Sequence, residues 1–271
     1  DLRVTVPLTA ITDESDARLD PFRWRERRLT GVLQQRAGGP LFIAEGDLVT
    51  QRALEAGCEP VAALVSPKGE ARLAAFAPGY ERYSYLTSED MRRKFTGIAV
   101  PRDVISLFKR PVGSELAQLA ATFTHGVLVD HVDNPVNIGS IARNAAAFGW
   151  NAMFLDTNSA DPLARRALRV SMGNSFRVPH SRVDDVATFV RALNAQGVAT
   201  IALTPAASAT PMQKVQIDAP RRLVLFGSER EGLDTDVMAA CTHRVRIEMQ
   251  DGVDSLNVAA ASAVACYTLR K

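Results

Sequence analysis

Three segments concentrate the side chains that could do chemistry, and each follows an apolar run that predicts a β-strand. They span residues 130–139, 226–233 and 249–257, and they are dense in small and polar residues such as Asp, Asn, Ser, Glu and Gly. Open α/β sheets place their ligands beyond the carboxyl ends of their strands. We therefore expect these three segments to carry the binding site.

Several common catalytic motifs are missing from the sequence. It contains no G-x-G-x-x-G after the first strand of the second half, no Walker A lysine motif, no H-E-x-x-H and no Cys-x-x-Cys. The four histidines, His125, His131, His180 and His243, show no metal-ligand spacing, so we predict no metal site. His131 lies close to the first segment and is interpreted as a bystander. No Ser-His-Asp assignment can be defended.

Taken together, the segments resemble the signature motifs of the SpoU/TrmH branch of the SPOUT RNA methyltransferases. The first motif is Asn137–Gly149, the second is Leu223–Leu233, and the third combines Ile247–Met249 with Asp254–Ala261. Three motifs in the right order, each at a predicted strand end, are hard to obtain by chance. The resemblance is strong over residues 122–271.

This resemblance implies an S-adenosylmethionine-dependent enzyme that methylates a ribose 2′-hydroxyl of RNA. It also implies a SPOUT domain with a C-terminal trefoil knot, and a homodimer. The two-domain layout favours ribosomal RNA over tRNA as the substrate. Two positions depart from the usual pattern: Arg230 stands where many members have glycine, and Asn144 where many have threonine.

Five residues of these motifs are implied as catalytic. Arg143 matches the catalytic arginine of the family; since a guanidinium keeps its proton far above neutral pH, we favour phosphate orientation and alkoxide stabilisation, with base action left open. Glu229 is expected to orient Arg143 or the substrate ribose. Asn137 and Ser255 also occupy positions typical of helix N-caps, and Asn257 is expected in the first turn of the last helix.

The cofactor is expected to be held mainly by backbone groups and apolar walls, because the adenine ring is neutral. Gly227 has no side chain to obstruct the adenosine. The expected cofactor-binding residues are Leu203, Thr204, Gly227, Ile247, Met249 and Leu256.

In the second half, alternating patterns predict a mostly parallel sheet with helices on both faces, a SPOUT methyltransferase domain over residues 123–271. Strands are predicted at 126–130, 152–155, 198–203, 223–226 and 244–249, and helices at 138–148, 162–168, 184–196, 234–240 and 256–269.

The first half predicts a small α/β sandwich over residues 21–105, after a flexible arm at 1–20 and before a linker at 106–122. Its element order and the stretch Lys94–Ile98 resemble the L30e-like RNA-recognition domain that precedes many catalytic domains of this family. Strands are predicted at 41–44, 61–65 and 97–100, and helices at 22–36 and 47–56. A short helix is predicted to end near residue 77, and a further helix to begin at residue 87.

Two clusters in the first half combine basic and aromatic side chains, at residues 21–28 and 92–95. Arginine beside an aromatic ring suits phosphate contact together with base stacking. Either cluster alone is equally well explained as a solvated helix face with buried rings. Their joint position before residue 110 favours a nucleic-acid role for this half.

Composition places the chain among ordinary globular proteins. Its 271 residues are 46% hydrophobic and 23% charged with a net charge of +2, and no apolar run is long enough to predict a membrane span. The three cysteines lie far apart, at 58, 241 and 266, which argues against a disulfide framework. We expect a cytoplasmic protein.

Other functions remain open alongside the ribosomal RNA methyltransferase. One is a tRNA 2′-O-methyltransferase of the same family, and another is a non-catalytic RNA-binding or assembly factor with a degenerate site. The joint presence of the five catalytic candidates argues against a degenerate site. A generic nucleotide-binding α/β enzyme is disfavoured by the missing glycine-rich and lysine motifs.

Overall fold

The computed structural model describes residues 8–31, 40–96 and 98–270, which pack as two compact units. The N-terminal unit comprises Asp1–Val112 with Leu163–Phe176, and the C-terminal unit comprises Gly113–Pro162 with Arg177–Lys271. In chain order the elements are β1 (Thr9–Ala10), α1 (Asp20–Arg23), α2 (Glu26–Gly31), β2 (Leu41–Glu45), α3 (Asp47–Glu55), β3 (Pro60–Val65), α4 (Pro67–Phe76), β4 (Ser84–Leu86), α5 (Glu89–Thr96), β5 (Val104–Lys109), α6 (Leu116–Thr122), β6 (His125–Val129), α7 (Pro135–Ala147), β7 (Ala152–Asp156), α8 (Arg165–Ser171), β8 (His180–Val183), α9 (Val186–Ala195), β9 (Ala199–Leu203), β10 (Thr210–Pro211), β11 (Arg222–Phe226), α10 (Thr235–Ala240), β12 (His243–Arg246) and α11 (Val258–Thr268).

The C-terminal unit is built on a seven-stranded sheet in the order β10-β12-β9-β11-β6-β7-β8, with every pair parallel. Side chains alternate between its faces, so that Val127 and Val129 pack towards α7 and α11 while Leu128 packs towards α6, α9 and α10. The mostly parallel α/β sheet predicted from the sequence is confirmed.

The strand order reverses between β6 and β11. The chain runs from β6 outward through β7 to β8, and then crosses to β9 on the opposite side of β11. Such a reversal leaves a crevice at the carboxyl ends of the two central strands, because the connections after them lead to opposite sides. The polar segments that follow β6 and β11 therefore start next to each other.

The N-terminal unit has a mixed five-stranded sheet in the order β1-β4-β3-β5-β2, in which β5 is antiparallel to both neighbours. Helices α3, α4 and α8 cover one face, and α1, α2 and α5 cover the other. Phe42 and Phe108 stack at 5.3 Å between ring centroids within the first of these cores. The arrangement is a small α/β sandwich.

Three local predictions for this half are wrong. The strand predicted at 97–100 does not form over residues 98–100, where Val100 is 77% exposed; Gly97 lies outside the described residues. Pro101, which has no N–H to donate to a sheet, follows these residues. The strand in this region is β5, and it extends to Lys109, beyond the predicted start of the linker at 106. The predicted helix at 22–36 is broken into α1 and α2 by the extended backbone of Trp24, and its residues 32–36 are outside the described part.

The predicted flexible arm is ordered over residues 8–20, while residues 1–7 are outside the described part. Strand β1 pairs with β4, and Ile11 and Leu19 are buried in the core beneath the sheet. Burial of two large aliphatic side chains holds this segment in place despite its polar composition.

A buried ion pair attaches α8 to the sheet of the N-terminal unit. The Glu45 carboxylate is fully buried, and it lies 2.5 Å from Nη2 of Arg169 and 3.5 Å from Nε of Arg165. Arg165 also donates to the carbonyl oxygens of Phe95 and Phe22, at 2.9 and 3.0 Å. The segment Leu163–Phe176 thus supplies the cations that a carboxylate of β2 requires.

We expect Arg169→Ala to destabilise the protein by about 3 kcal/mol at neutral pH, because it leaves the buried Glu45 charge poorly compensated. Burial already raises the pKa of Glu45 against the opposing charges of Arg169 and Arg165, and the substitution raises it further. Since stability linked to a raised carboxyl pKa is lost as the pH rises, the deficit should shrink in acid. Urea unfolding at several pH values measures it.

The matched control is Arg166→Ala, which removes an exposed arginine from the same helix. A surface change of this kind costs less than about 0.5 kcal/mol. Equal losses in the two variants would show that Arg169 does not stabilise the unit through Glu45.

Candidate active site

A cavity of about 560 Å³ opens at the carboxyl ends of the central strands in the C-terminal unit. It is lined by the segments that follow β9, β11 and β12 and by the start of α11. Its volume is typical of sites that hold a small molecule or cofactor. All six predicted cofactor residues line it, together with three of the predicted catalytic ones: Leu203, Thr204, Gly227, Ile247, Met249 and Leu256, with Glu229, Ser255 and Asn257.

The segment after β11 forms a tight hairpin that shapes one wall of this cavity. Ser228 and Gly232 exchange backbone hydrogen bonds of 3.1 and 3.0 Å, and the Ser228 hydroxyl accepts from the N–H of Glu231 at 3.1 Å. The backbone of Gly232 lies so close that a Cβ on Gly227 would be 2.0 Å from its carbonyl carbon. Gly227 is therefore required for the hairpin itself, whereas the sequence suggested only clearance for adenosine.

Glu229 connects the three polar segments. Its Oε1 accepts hydrogen bonds from the amide groups of Asn137, at 3.0 Å, and Asn257, at 2.5 Å. The Asn257 amide also donates to Oδ1 of Asn137 at 3.3 Å. One residue from each of the segments after β6, β11 and β12 thus meets in a hydrogen-bonded triangle at the cavity wall, with Asn137 buried and Glu229 exposed.

Two helix-cap predictions in this region are wrong. The N-cap of α7 is Asn134, whose side chain accepts from Val136 N at 3.0 Å, so that Asn137 lies in the first turn. The N-cap of α11 is Asn257, whose Oδ1 accepts from Ala259 N at 2.9 Å, so that Ser255 lies outside the helix. Asn257 therefore uses its oxygen for the helix and its amide for Glu229.

Arg143 is exposed on α7, and it is not among the residues that line the cavity. Its neighbour Asn144 turns inward and donates to Ala259 O at 2.9 Å and to the Ser262 hydroxyl at 2.8 Å. Asn144 thereby joins α7 to α11. This role follows from the packing of two distant helices, and no signal in the sequence could have revealed it.

A second polar cluster lies beside the hairpin and was missed by sequence reasoning. Nδ1 of His131 is 2.9 Å from Asp130 Oδ1, and its backbone N–H donates to Asp156 Oδ1 at 3.1 Å. Burial lowers the pKa of His131, but the hydrogen bond to Asp130 and the charges of Asp130, Asp156 and Asp234 outweigh it and raise the pKa. Asp130, His131 and Asp156 place possible metal-ligand atoms within 4.8 Å of one another. The Asp156 carboxylate, however, already accepts hydrogen bonds from the backbone N–H groups of His131, Asn158 and Ser159.

We expect Gly227→Ala to disrupt the hairpin, because the methyl group and the backbone of Gly232 cannot occupy the same space. Overpacking against backbone costs about 1–3 kcal/mol or displaces the loop. Calorimetric titration with S-adenosylmethionine, together with thermal unfolding, should show loss of cofactor binding. Gly252→Ala, in the segment after β12, places its methyl group in open space and serves as a control, although its positive φ adds some strain. Unchanged cofactor affinity in Gly227→Ala would contradict the assigned close contact.

We expect His131→Asn to remove a stabilising contribution that is greatest in mild acid. The folded pKa is raised, so this contribution is complete below the unfolded value of about 6.5 and disappears as the pH rises through the folded value. Asparagine is chosen because it tolerates the left-handed backbone of His131, whose φ is 55°. Denaturant unfolding of both proteins across neutral pH is the measurement. A difference in the free energy of unfolding that grows with pH would contradict the raised pKa of His131.

Comparisons with known proteins agree with this architecture. A model of the SpoU rRNA methylase family matches residues 125–267. An uncharacterised tRNA/rRNA methyltransferase of Mycobacterium bovis is 34% identical over 95% of this chain and 90% of its own length. A 23S rRNA guanosine 2′-O-methyltransferase of Bacillus subtilis is 26% identical, with 84% of this chain and 88% of that protein covered.

A solved structure shares the fold. An rRNA methyltransferase from Sinorhizobium meliloti, crystallised with S-adenosylmethionine, superposes with a TM-score of 0.77 at 24% identity and covers 97% of both chains. The family model matches more than half of this chain, and the Mycobacterium relative exceeds 30% identity over nearly all of it. The chain therefore belongs to the SpoU family of S-adenosylmethionine-dependent RNA methyltransferases.

Proposed function

We propose that this protein transfers a methyl group from S-adenosylmethionine to a ribose 2′-hydroxyl of ribosomal RNA. The observation that carries the proposal is the Asn137–Glu229–Asn257 triangle at the wall of a cofactor-sized cavity. Ribosomal RNA is favoured because the Bacillus relative is named a 23S rRNA 2′-O-methyltransferase. A tRNA substrate is the alternative within the same family.

The cavity suits S-adenosylmethionine in both shape and chemistry. Ile247, Met249 and Leu256 offer apolar surface to a neutral adenine ring, and the backbone around Gly227 offers neutral hydrogen-bonding groups. The Glu229 carboxylate provides a negative charge that complements a sulfonium cation. We assign Leu203 and Thr204 to the wall at the end of β9.

The protein's own contribution is to orient the ribose and to keep the site dry. Bound S-adenosylmethionine supplies an electrophilic methyl group. The Glu229 carboxylate, fixed by two amide donors, is placed to accept a hydrogen bond from the ribose hydroxyl, to direct its oxygen and to take up the proton that the hydroxyl loses when its oxygen bonds to the methyl carbon. Asn137 and Asn257 fix Glu229, while Ser255 lines the cavity. Exclusion of water favours the reaction because charge is lost when an oxygen nucleophile attacks a cation.

Arg143 is proposed to contact the RNA, since it is exposed on α7 instead of lining the cavity. A guanidinium binds a phosphate through two parallel hydrogen bonds and stabilises a developing alkoxide without losing its own proton. We therefore assign Arg143 to phosphate orientation and alkoxide stabilisation.

The N-terminal unit is proposed to bind the RNA substrate as an L30e-like domain. Three arginines lie over aromatic rings at about 5 Å: Arg28 over Trp24, Arg23 over Phe95 and Arg18 over Tyr85. Stacked guanidinium groups of this kind contact phosphates and bases together. Arg92 is excluded from this surface because it is buried, and donates to the carbonyl oxygens of Thr87 and Arg102.

Helix α11 is proposed to complete a trefoil knot and to form part of a homodimer interface. Its end is fixed by Trp150, whose ring N–H donates to Cys266 O at 3.0 Å, and by Arg222, which donates to Leu269 O at 3.0 Å. Its outer face exposes Val264 and Tyr267, at 40% and 56%. Exposed apolar side chains on an otherwise anchored helix suit a partner surface.

The cytoplasm is the proposed location. The three cysteines are free thiols, and burial raises the pKa of Cys241 and Cys266 to about 12, which makes both unreactive. Among the described residues, no helix has the length and apolar character of a membrane span.

The deciding experiment is transfer of labelled methyl from S-adenosylmethionine to ribosomal RNA and, separately, to tRNA, both taken from cells that lack the protein. We expect label at ribose in ribosomal RNA, and a decrease of about 100-fold in Glu229→Ala because an electrostatic contact at the reacting centre is lost. Glu248→Gln, which changes an exposed carboxylate outside the cavity wall, is the matched control. Arg143→Ala should also lose activity.

The outcomes separate the alternatives. Label confined to tRNA would identify the tRNA methyltransferase. Cofactor binding without label in either pool would support a non-catalytic RNA-binding factor. Absence of cofactor binding would contradict the enzymatic proposal.

A further inference from the structure

Asp130 holds both ends of the segment that forms the cavity hairpin. Its backbone N–H donates to Phe226 O at 2.9 Å, where β11 ends. Its carboxylate Oδ2 accepts from the backbone N–H of Asp234 at 3.3 Å, where α10 begins. The residues between these two contacts are Gly227–Leu233, which include the hairpin and Glu229.

Both contacts of Asp130 are well supported. Asp130 is only 2% exposed, and its other carboxylate oxygen is 2.9 Å from Nδ1 of His131. Nε2 of that histidine is 3.1 Å from the Asn158 amide group, which fixes the ring. Asp234 is itself immobilised, because its side chain caps α10 by accepting from Asp236 N at 3.0 Å. The hydrogen bond from Asp234 N–H to the Asp130 carboxylate therefore joins two residues that are each held by other hydrogen bonds.

At its tip the hairpin is held through the side chain of Glu229, which accepts from the amide groups of Asn137 and Asn257. Residues 229–232 are exposed, and the backbone contacts within the hairpin join Ser228 to Gly232, so they define the turn without attaching its backbone to the sheet. The backbone of the segment is attached at its two ends, and Asp130 binds both ends.

We propose that Asp130 is a positioning residue that holds Gly227–Leu233 ready for the cofactor before the cofactor arrives. The inference rests on the proposed placement of S-adenosylmethionine in the cavity beside this hairpin. A loop that is ordered in advance binds its ligand more tightly, because the ligand does not have to supply the free energy of ordering. Once the cofactor is bound, it orders the loop itself, so the rate at saturation depends little on Asp130.

The test compares Asp130→Ala with a matched control, Asp156→Ala. Asp156 is buried to a similar degree and also contacts His131, but it makes no contact with the hairpin segment. In the full chain, calorimetric titration gives the Kd of S-adenosylmethionine, and turnover on the labelled RNA pool gives kcat. We expect Asp130→Ala to raise Kd about tenfold, with kcat within about threefold of wild type. Asp156→Ala should leave Kd within about threefold.

Asp130→Asn is the conservative variant that should rescue binding. Its amide oxygen still accepts from Asp234 N–H, and its amide nitrogen can face Nδ1 of His131. We expect a Kd close to that of wild type. If the alanine variant does not fold, Asp130→Ser takes its place, since a serine hydroxyl is too short to reach Asp234.

Hydrogen exchange without cofactor tests the inference independently of the assigned function. Peptides covering residues 227–234 should exchange faster in Asp130→Ala than in wild type, and the Asp156→Ala peptides should not. Equal Kd changes in the two alanine variants, a lower kcat with unchanged Kd, a failure of asparagine to rescue, or unchanged exchange would each overturn the proposal. Failure of wild type to bind S-adenosylmethionine would refute the proposed function, while the exchange comparison would still decide whether Asp130 holds the loop.

Discussion

The Glu229 carboxylate is the group on which the site depends, because it joins two segments that line the cavity, those after β11 and β12, to Asn137 in the segment after β6. Asn137 follows β6, Glu229 follows β11 and Asn257 follows β12, and they are separated by up to 120 residues in sequence. The parallel sheet makes this meeting possible, since the carboxyl ends of neighbouring strands all lie at one edge. The reversal of strand order between β6 and β11 places the segments after these two strands side by side, and the hairpin after β11 forms one wall of the cavity.

The polar segments of the candidate site stand out in the sequence more clearly than the bounds of the helices and strands around them. The polar segments were recognised because small and charged residues in a fixed order stand out against apolar strands, and all six predicted cofactor residues line one cavity. Errors arose where two nearby residues suit one local role equally well. Asn134 and Asn137 are both good N-caps, and the extended backbone of Asn134 with its side-chain bond to Val136 N shows that the helix begins after Asn134. Val100 was mistaken for part of a strand because apolar character alone does not show burial.

Interactions between distant residues could not be predicted from the sequence. The contact of Asp130 with Asp234, and the ion pair of Glu45 with Arg169, each depend on how separate elements pack. The segment Leu163–Phe176 illustrates this most clearly: its residues follow β7 of the methyltransferase sheet, yet they belong to the N-terminal unit. No local pattern in α8 distinguishes Arg169, which neutralises a buried charge, from its exposed neighbour Arg166.

The cofactor site is assigned to the cavity beside the Asn137–Glu229–Asn257 triangle, and a crystal structure with S-adenosylhomocysteine would test this assignment. This molecule is the product that remains after methyl transfer, and it carries the same adenosine and amino-acid groups as the cofactor. We expect its adenine to lie against Ile247 and Leu256, with the Asn137–Glu229–Asn257 triangle intact beside it. Density for the ligand outside this cavity, or a Glu229 side chain turned away from both asparagines, would contradict this assignment.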